Sequence, residues 1–67
     1  MKKISVSLSG HQTSISLEDE FVTALHEIAH KIKKPVAKII DEIDEKRDIG
    51  TNLSSAVRIY ILKYYRK

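Results

Sequence analysis

The chain has 67 residues, 12 Lys and Arg against 9 Asp and Glu, and a formal net charge of +3. It has no cysteine, which excludes disulfides and thiolate zinc sites, and no apolar run long enough to span a membrane. This length accommodates one domain, residues 1–67, and a lone core of that size rarely supplies more than ~3–5 kcal/mol, so association with a second copy is the natural stabiliser.

No signal-peptide core follows Met1-Lys2-Lys3, and the absence of cysteine fits a reducing compartment. The expectation is a soluble, cytoplasmic protein. The basic residues are grouped: Lys2 and Lys3 open the chain, Lys31, Lys33, Lys34 and Lys38 lie near its middle, and Arg58, Lys63, Arg66 and Lys67 close it. Acids gather at Glu18, Asp19 and Glu20 and again between Asp41 and Asp48. Taken alone, each group reads equally well as a solvated face.

Ile4, Val6 and Leu8 alternate with Ser5, Ser7 and Ser9, which predicts a first strand. Gly10-His11 offers a bend. Alternation resumes in Gln12-Thr13-Ser14-Ile15-Ser16-Leu17, with Thr13, Ile15 and Leu17 on one face and Gln12, Ser14 and Ser16 on the other. The extended region, residues 3–17, is either a hairpin or one long strand kinked at Gly10. A single strand cannot satisfy its own backbone, and a lone two-stranded ribbon is marginal in water. The expected partner is therefore the same strand of a second copy.

Three helices should follow, over about residues 18–33, 35–48 and 52–65. In the first, Glu18, Asp19 and Glu20 complement the positive end of the helix dipole. Phe21, Ala24, Leu25, Ile28, Ala29 and Ile32 form its apolar face. Pro35 either ends that helix or opens the next, where its fixed φ and missing N–H suit a first helical position. The second helix carries Val36, Ile39, Ile40 and Ile43 and should stop near Gly50, a C-terminal cap. Thr51 or Asn52 can cap the third. Its apolar residues, from Leu53 to Tyr64, spread too widely for one buried face, which again implies a second subunit.

A short alternating strand, an amphipathic helix, a tight basic turn and a second amphipathic helix resemble the ribbon-helix-helix (MetJ/Arc-like) DNA-binding family. Residues Gly10 to Phe21, with Asn52-Leu53-Ser54-Ser55-Ala56-Val57-Arg58, resemble a small bacterial subgroup with an added C-terminal helix. The resemblance implies a mostly α, α+β ribbon-helix-helix fold in an intertwined homodimer with an intersubunit antiparallel ribbon. It implies a transcriptional repressor bound to double-stranded DNA as a homodimer or a tetramer, with no cofactor. The family's outward strand positions match Gln12, Ser14 and Ser16, which would meet base edges in the major groove. Relatives commonly place Arg or Lys on this strand, and here it carries neither. The family's phosphate site, at the start of its second helix, matches Lys34, Pro35, Val36 and Ala37. Pro35 has no N–H, so Val36 and Ala37 would supply the amides, with charge from Lys33, Lys34 and Lys38. Lys2 and Lys3 would also reach the DNA backbone.

A competing motif is His26-Glu27-Ile28-Ala29-His30, the H-E-x-x-H spelling of zinc peptidases. The spacing puts both imidazoles on one helix face. No histidine follows to complete a site, and the chain is too short to build a cleft around Asp41, Glu42 or Asp44. The expectation is two surface histidines, no metal and no enzyme. Ser54 and Ser55 read as first-turn residues of the third helix. The alternative function is a protein-interaction module or antitoxin-like protein, with Tyr60, Tyr64 and Tyr65 as the partner surface.

Overall fold

The computed structural model describes residues 1–8 and 10–66. Two strands, β1 (Lys2–Leu8) and β2 (His11–Leu17), precede three helices, α1 (Asp19–Ile32), α2 (Val36–Lys46) and α3 (Leu53–Tyr65). The fold is α+β and mostly α.

β1 and β2 pair antiparallel within one chain, from Lys2 opposite Leu17 to Leu8 opposite His11. Of the two arrangements open to the extended region, the hairpin is the one formed. Within one chain β2 pairs with the strand just before it, and among the described residues its other edge carries no strand. The hairpin has a local cause. Gly10, just before β2, takes φ +84°, a conformation that tight hairpin turns favour and that a Cβ opposes.

The hairpin has one dry face. Val6, Leu8, Ile15 and Leu17 are buried on it, with Ile4 and Thr13 half-buried. α2 packs against β1, α3 packs against β2, and α1 packs against both of those helices. The core joins the hairpin to Val22, Leu25 and Ile28 of α1, Ile39, Ile40 and Ile43 of α2, and Val57 and Ile61 of α3. Each such side chain removed from water contributes ~1.5–3 kcal/mol before the cost of ordering it.

Helix ends depart from expectation in three places. On α1 the buried stripe includes Val22, while Ile32, expected inside, is 37% exposed at the last turn. The α1 C-cap is Lys33, held left-handed at φ 58°, and the amides of Lys33 and Lys34 both donate to the Ala29 carbonyl. Pro35 is the extended residue before α2, not its first helical residue, and its carbonyl accepts from Lys38 and Ile39. α2 stops at Lys46, and its cap is Arg47, not Gly50. Gly50, at φ +96°, sits instead in a turn closed by the Thr51 amide donating to the Asp48 carbonyl. The Arg47 guanidinium ties this turn down, donating to the Asp44 carboxylate at 2.7 Å and to the Thr51 carbonyl at 2.8 Å.

Asn52 caps α3: its Oδ1 accepts from the Ser55 amide at 2.8 Å. Only Val57 and Ile61 of α3 are buried, while Ile59, Leu62 and Tyr65 are exposed. The apolar surface of α3 is wider than one chain covers. Among the described residues, no helix is long and apolar enough to cross a membrane.

Candidate nucleic-acid interface

The strand register builds the first part of the site. Residues directly opposite in an antiparallel pair project to the same face. Ser16 faces Lys3, Ser14 faces Ser5, and Gln12 faces Ser7. All six are exposed, and the neighbouring rows form the dry face against the helices. The hairpin is thus an amphipathic ribbon, apolar inside and polar outside. Gln12, Ser14 and Ser16 stand together on its open face. Lys2 and Lys3 are split: Lys3 lies in the outer rows, whereas Lys2 lies in the row of the buried Leu17 and keeps its exposed side chain at the ribbon's end. Sequence reasoning missed Ser5 and Ser7. Their alternation was visible, but only the pairing register places them beside Ser14 and Gln12.

The second cluster lies at the junction of α1 and α2, where Ala29, His30, Lys33, Lys34, Pro35 and Val36 line an open surface. An α-helix leaves its first amides without intrahelical acceptors. At α2 no side chain caps them, so the Val36 and Ala37 amides stay open at the positive end of the dipole. Among the flanking lysines, Lys33 and Lys38 are exposed. Lys34 is engaged elsewhere: its ammonium sits 3.0 Å from both oxygens of Glu42. That hydrogen bond holds the Glu42 carboxyl below its ordinary pKa. The local cationic charge is therefore smaller than the lysine count suggests.

The other two helix starts are less open to an anion. α1 opens at Glu18 and carries Asp19 and Glu20 in its first turn. The carboxylate of Glu18 already receives Arg58, with Nε to Oε1 at 2.8 Å. Arg58 also lies 6.0 Å from the centre of the Phe21 ring. α3 begins beside Ser14 and Ser16 of the ribbon, but Asn52 occupies its Ser55 amide.

His26 and His30 are exposed on α1. Glu27 lies between them in sequence and accepts a hydrogen bond from the Tyr65 hydroxyl at 3.1 Å. Desolvation, reinforced by that bond, raises the Tyr65 pKa above its ordinary value. Among the described residues, no group of three His, Cys, Asp or Glu side chains is placed to hold a metal ion.

A family model described as the ribbon-helix-helix domain matches residues 1–65. No curated protein and no solved structure matches the chain.

Proposed function

Because the chain belongs to the ribbon-helix-helix domain family of DNA-binding regulators, we propose that it is a sequence-specific repressor of transcription. It reads the major groove of double-stranded DNA with Gln12, Ser14 and Ser16. The observation that carries this reading is the exposed polar face of the hairpin, backed by a buried apolar one. A major groove admits a two-stranded ribbon; glutamine pairs with adenine N6 and N7, and serine donates or accepts at several bases.

The ribbon alone supplies little affinity. Phosphate contacts come from the Val36 and Ala37 amides, from Lys33 and Lys38, and from Lys2 and Lys3 of β1, while Lys34, held by Glu42, contributes little. Ribbon-helix-helix domains bind DNA as dimers, and the edge of β2 away from β1 is open to the same strand of a second copy. A homodimer, or a tetramer on DNA, then spans a palindromic or tandem operator and represses by occupying it in the cytoplasm. Exposed Ile59 and Leu62 on α3 are consistent with an apolar contact between copies.

Selection of duplexes from a random pool, beside a mass measurement in solution, tests the reading. Affinity should fall with salt, with a logarithmic slope of about 0.9 per phosphate neutralised. Failure to retain any duplex at low salt would overturn it.

The same α3 residues, with Tyr65, favour a second reading as a protein-interaction module of the antitoxin kind. Co-purification of a stoichiometric protein partner, with no duplex selected, would put that reading first.

A further inference from the structure

One edge of β2 is taken by β1, and the other is free for the same strand of a second copy. Pairing two chains along that edge makes a four-stranded sheet, with the two β2 strands central and a β1 strand on each flank. We infer that β1 rides on the wall of the major groove, outside it, and that Ser5 and Ser7 hydrogen-bond the DNA phosphates there beside Lys3. This inference rests on the dimeric, DNA-reading role proposed for β2.

Register and width carry it. Lys3 lies directly opposite Ser16, Ser5 opposite Ser14, and Ser7 opposite Gln12. Opposite residues of an antiparallel pair share a face, so the exposed row of β1 turns to the same side as the three positions on β2. Burial pins this register. A slip of one residue would turn Val6 and Leu8, each 5% exposed, out to water. Neighbouring strands lie ~4.8 Å apart, so two central strands with their side chains fit a major groove ~12 Å wide. The two β1 strands, three spacings apart, stand ~14 Å from each other. They are too widely set to enter the groove, and they meet its phosphate edges instead.

The chemistry of β1 fits a phosphate wall. Residues 1–17 include Lys2, Lys3 and His11 and no acid, so nothing on the hairpin repels a phosphate. Lys3 is exposed, and none of the ion pairs among the described residues engages it. Serine is short enough to let the strand lie close to the backbone, and its hydroxyl donates to a phosphate oxygen. β1 is also the strand against which α2 packs. The open Val36 and Ala37 amides of α2 and the outer row of β1 therefore belong to one flank of each copy, and both serve the sugar-phosphate backbone. Base reading is left to Gln12, Ser14 and Ser16 at the centre of the sheet.

The experiment begins with the duplex that the intact protein selects. Binding is measured on that duplex and on each of its single base-pair substitutions, for the wild type, Ser5→Lys, the double variant Ser5→Ala with Ser7→Ala, and Ser14→Ala. The double variant should weaken binding to every duplex alike, by roughly two- to tenfold, with base preferences and salt slope unchanged, because a hydroxyl carries no charge. Ser5→Lys should tighten binding to every duplex at low salt and steepen the logarithmic salt slope by about 0.9 for each copy bound. Ser14→Ala, by contrast, should change the preference at individual base pairs. A changed base preference in the double variant would place β1 inside the groove and overturn the inference. Wild-type affinity and slope in both β1 variants would hold β1 clear of DNA and overturn it too, while the Ser14→Ala result keeps the role of β2 standing. If the wild type selects no duplex, the DNA-reading role falls first and this inference with it.

Discussion

Arg58 on α3 and Glu18 at the start of α1 are joined by two hydrogen bonds, Nε to Oε1 at 2.8 Å and the terminal guanidinium nitrogen to Oε2 at 3.3 Å. They are 40 residues apart in sequence. The pair fixes the added third helix against the point where ribbon becomes helix. It also neutralises a carboxylate at the junction of β2 and α1.

The hydrogen bond from Arg58 lowers the Glu18 pKa below its ordinary value of 4.5. A depressed carboxylate pKa stabilises the fold above the unfolded value, and the contribution is lost as pH falls through the folded one. Arg58→Ala should therefore lower the Tm at neutral pH, and the difference from wild type should shrink as the solution is acidified below 4.5. Thermal unfolding of both proteins across that range checks it. An equal Tm loss at every pH would mean that Arg58 acts by packing on Phe21 alone.

Lys33 holds a left-handed conformation at φ 58°. A residue with a Cβ pays ~1–2 kcal/mol there, and glycine does not, although glycine loses more chain entropy on folding. Lys33→Gly should stabilise the fold by about 0.5–1 kcal/mol. The denaturant midpoint should rise with an unchanged m-value.

Ile28 and Ile32 lie one turn apart on α1, but Ile28 is fully buried and Ile32 is 37% exposed. Ile28→Ala should cost ~2–5 kcal/mol, comparable with the whole stability of a core this small. Ile32→Ala should cost ~0.5 kcal/mol or less. Far-UV circular dichroism would find the first variant largely unfolded and the second native.

Glu42 holds the Lys34 ammonium at 3.0 Å, next to the open start of α2. Glu42→Gln should free that charge for a phosphate. DNA affinity at low salt should rise, and the logarithmic salt slope should steepen by about 0.9. The companion Lys34→Ala should leave the slope of the wild type nearly unchanged, because the paired lysine contributes little. A salt titration of all three proteins on one duplex measures both.

Much of this was legible in the residue order. Ile15 and Leu17 face inward and Ser14 and Ser16 outward because a strand's side chains alternate whatever it pairs with. Leu25 and Ile28, or Ile39, Ile40 and Ile43, fall inside because a helix gathers such spacings on one side. The Asn52 cap follows from a side chain reaching an amide three residues ahead. These rules act within a few residues, so local pattern was enough to identify the strands, the helices and the polar face of β2.

What paired with what was decided only by the tertiary structure. The alternation of residues 4–9 suited a hairpin and a kinked strand equally, and closure around Gly10 chose the first. Gly50 had the composition of a helix cap, but Arg47, bonded to Asp44 and Thr51, ended α2 earlier and left Gly50 to a turn. Lys34 and Lys3 began as similar exposed cations. A carboxylate eight residues away holds the first, and the strand register sets the second on the polar face of the ribbon. Periodicity reports which side of an element is dry; it carries no information about the distant atoms that each polar side will meet.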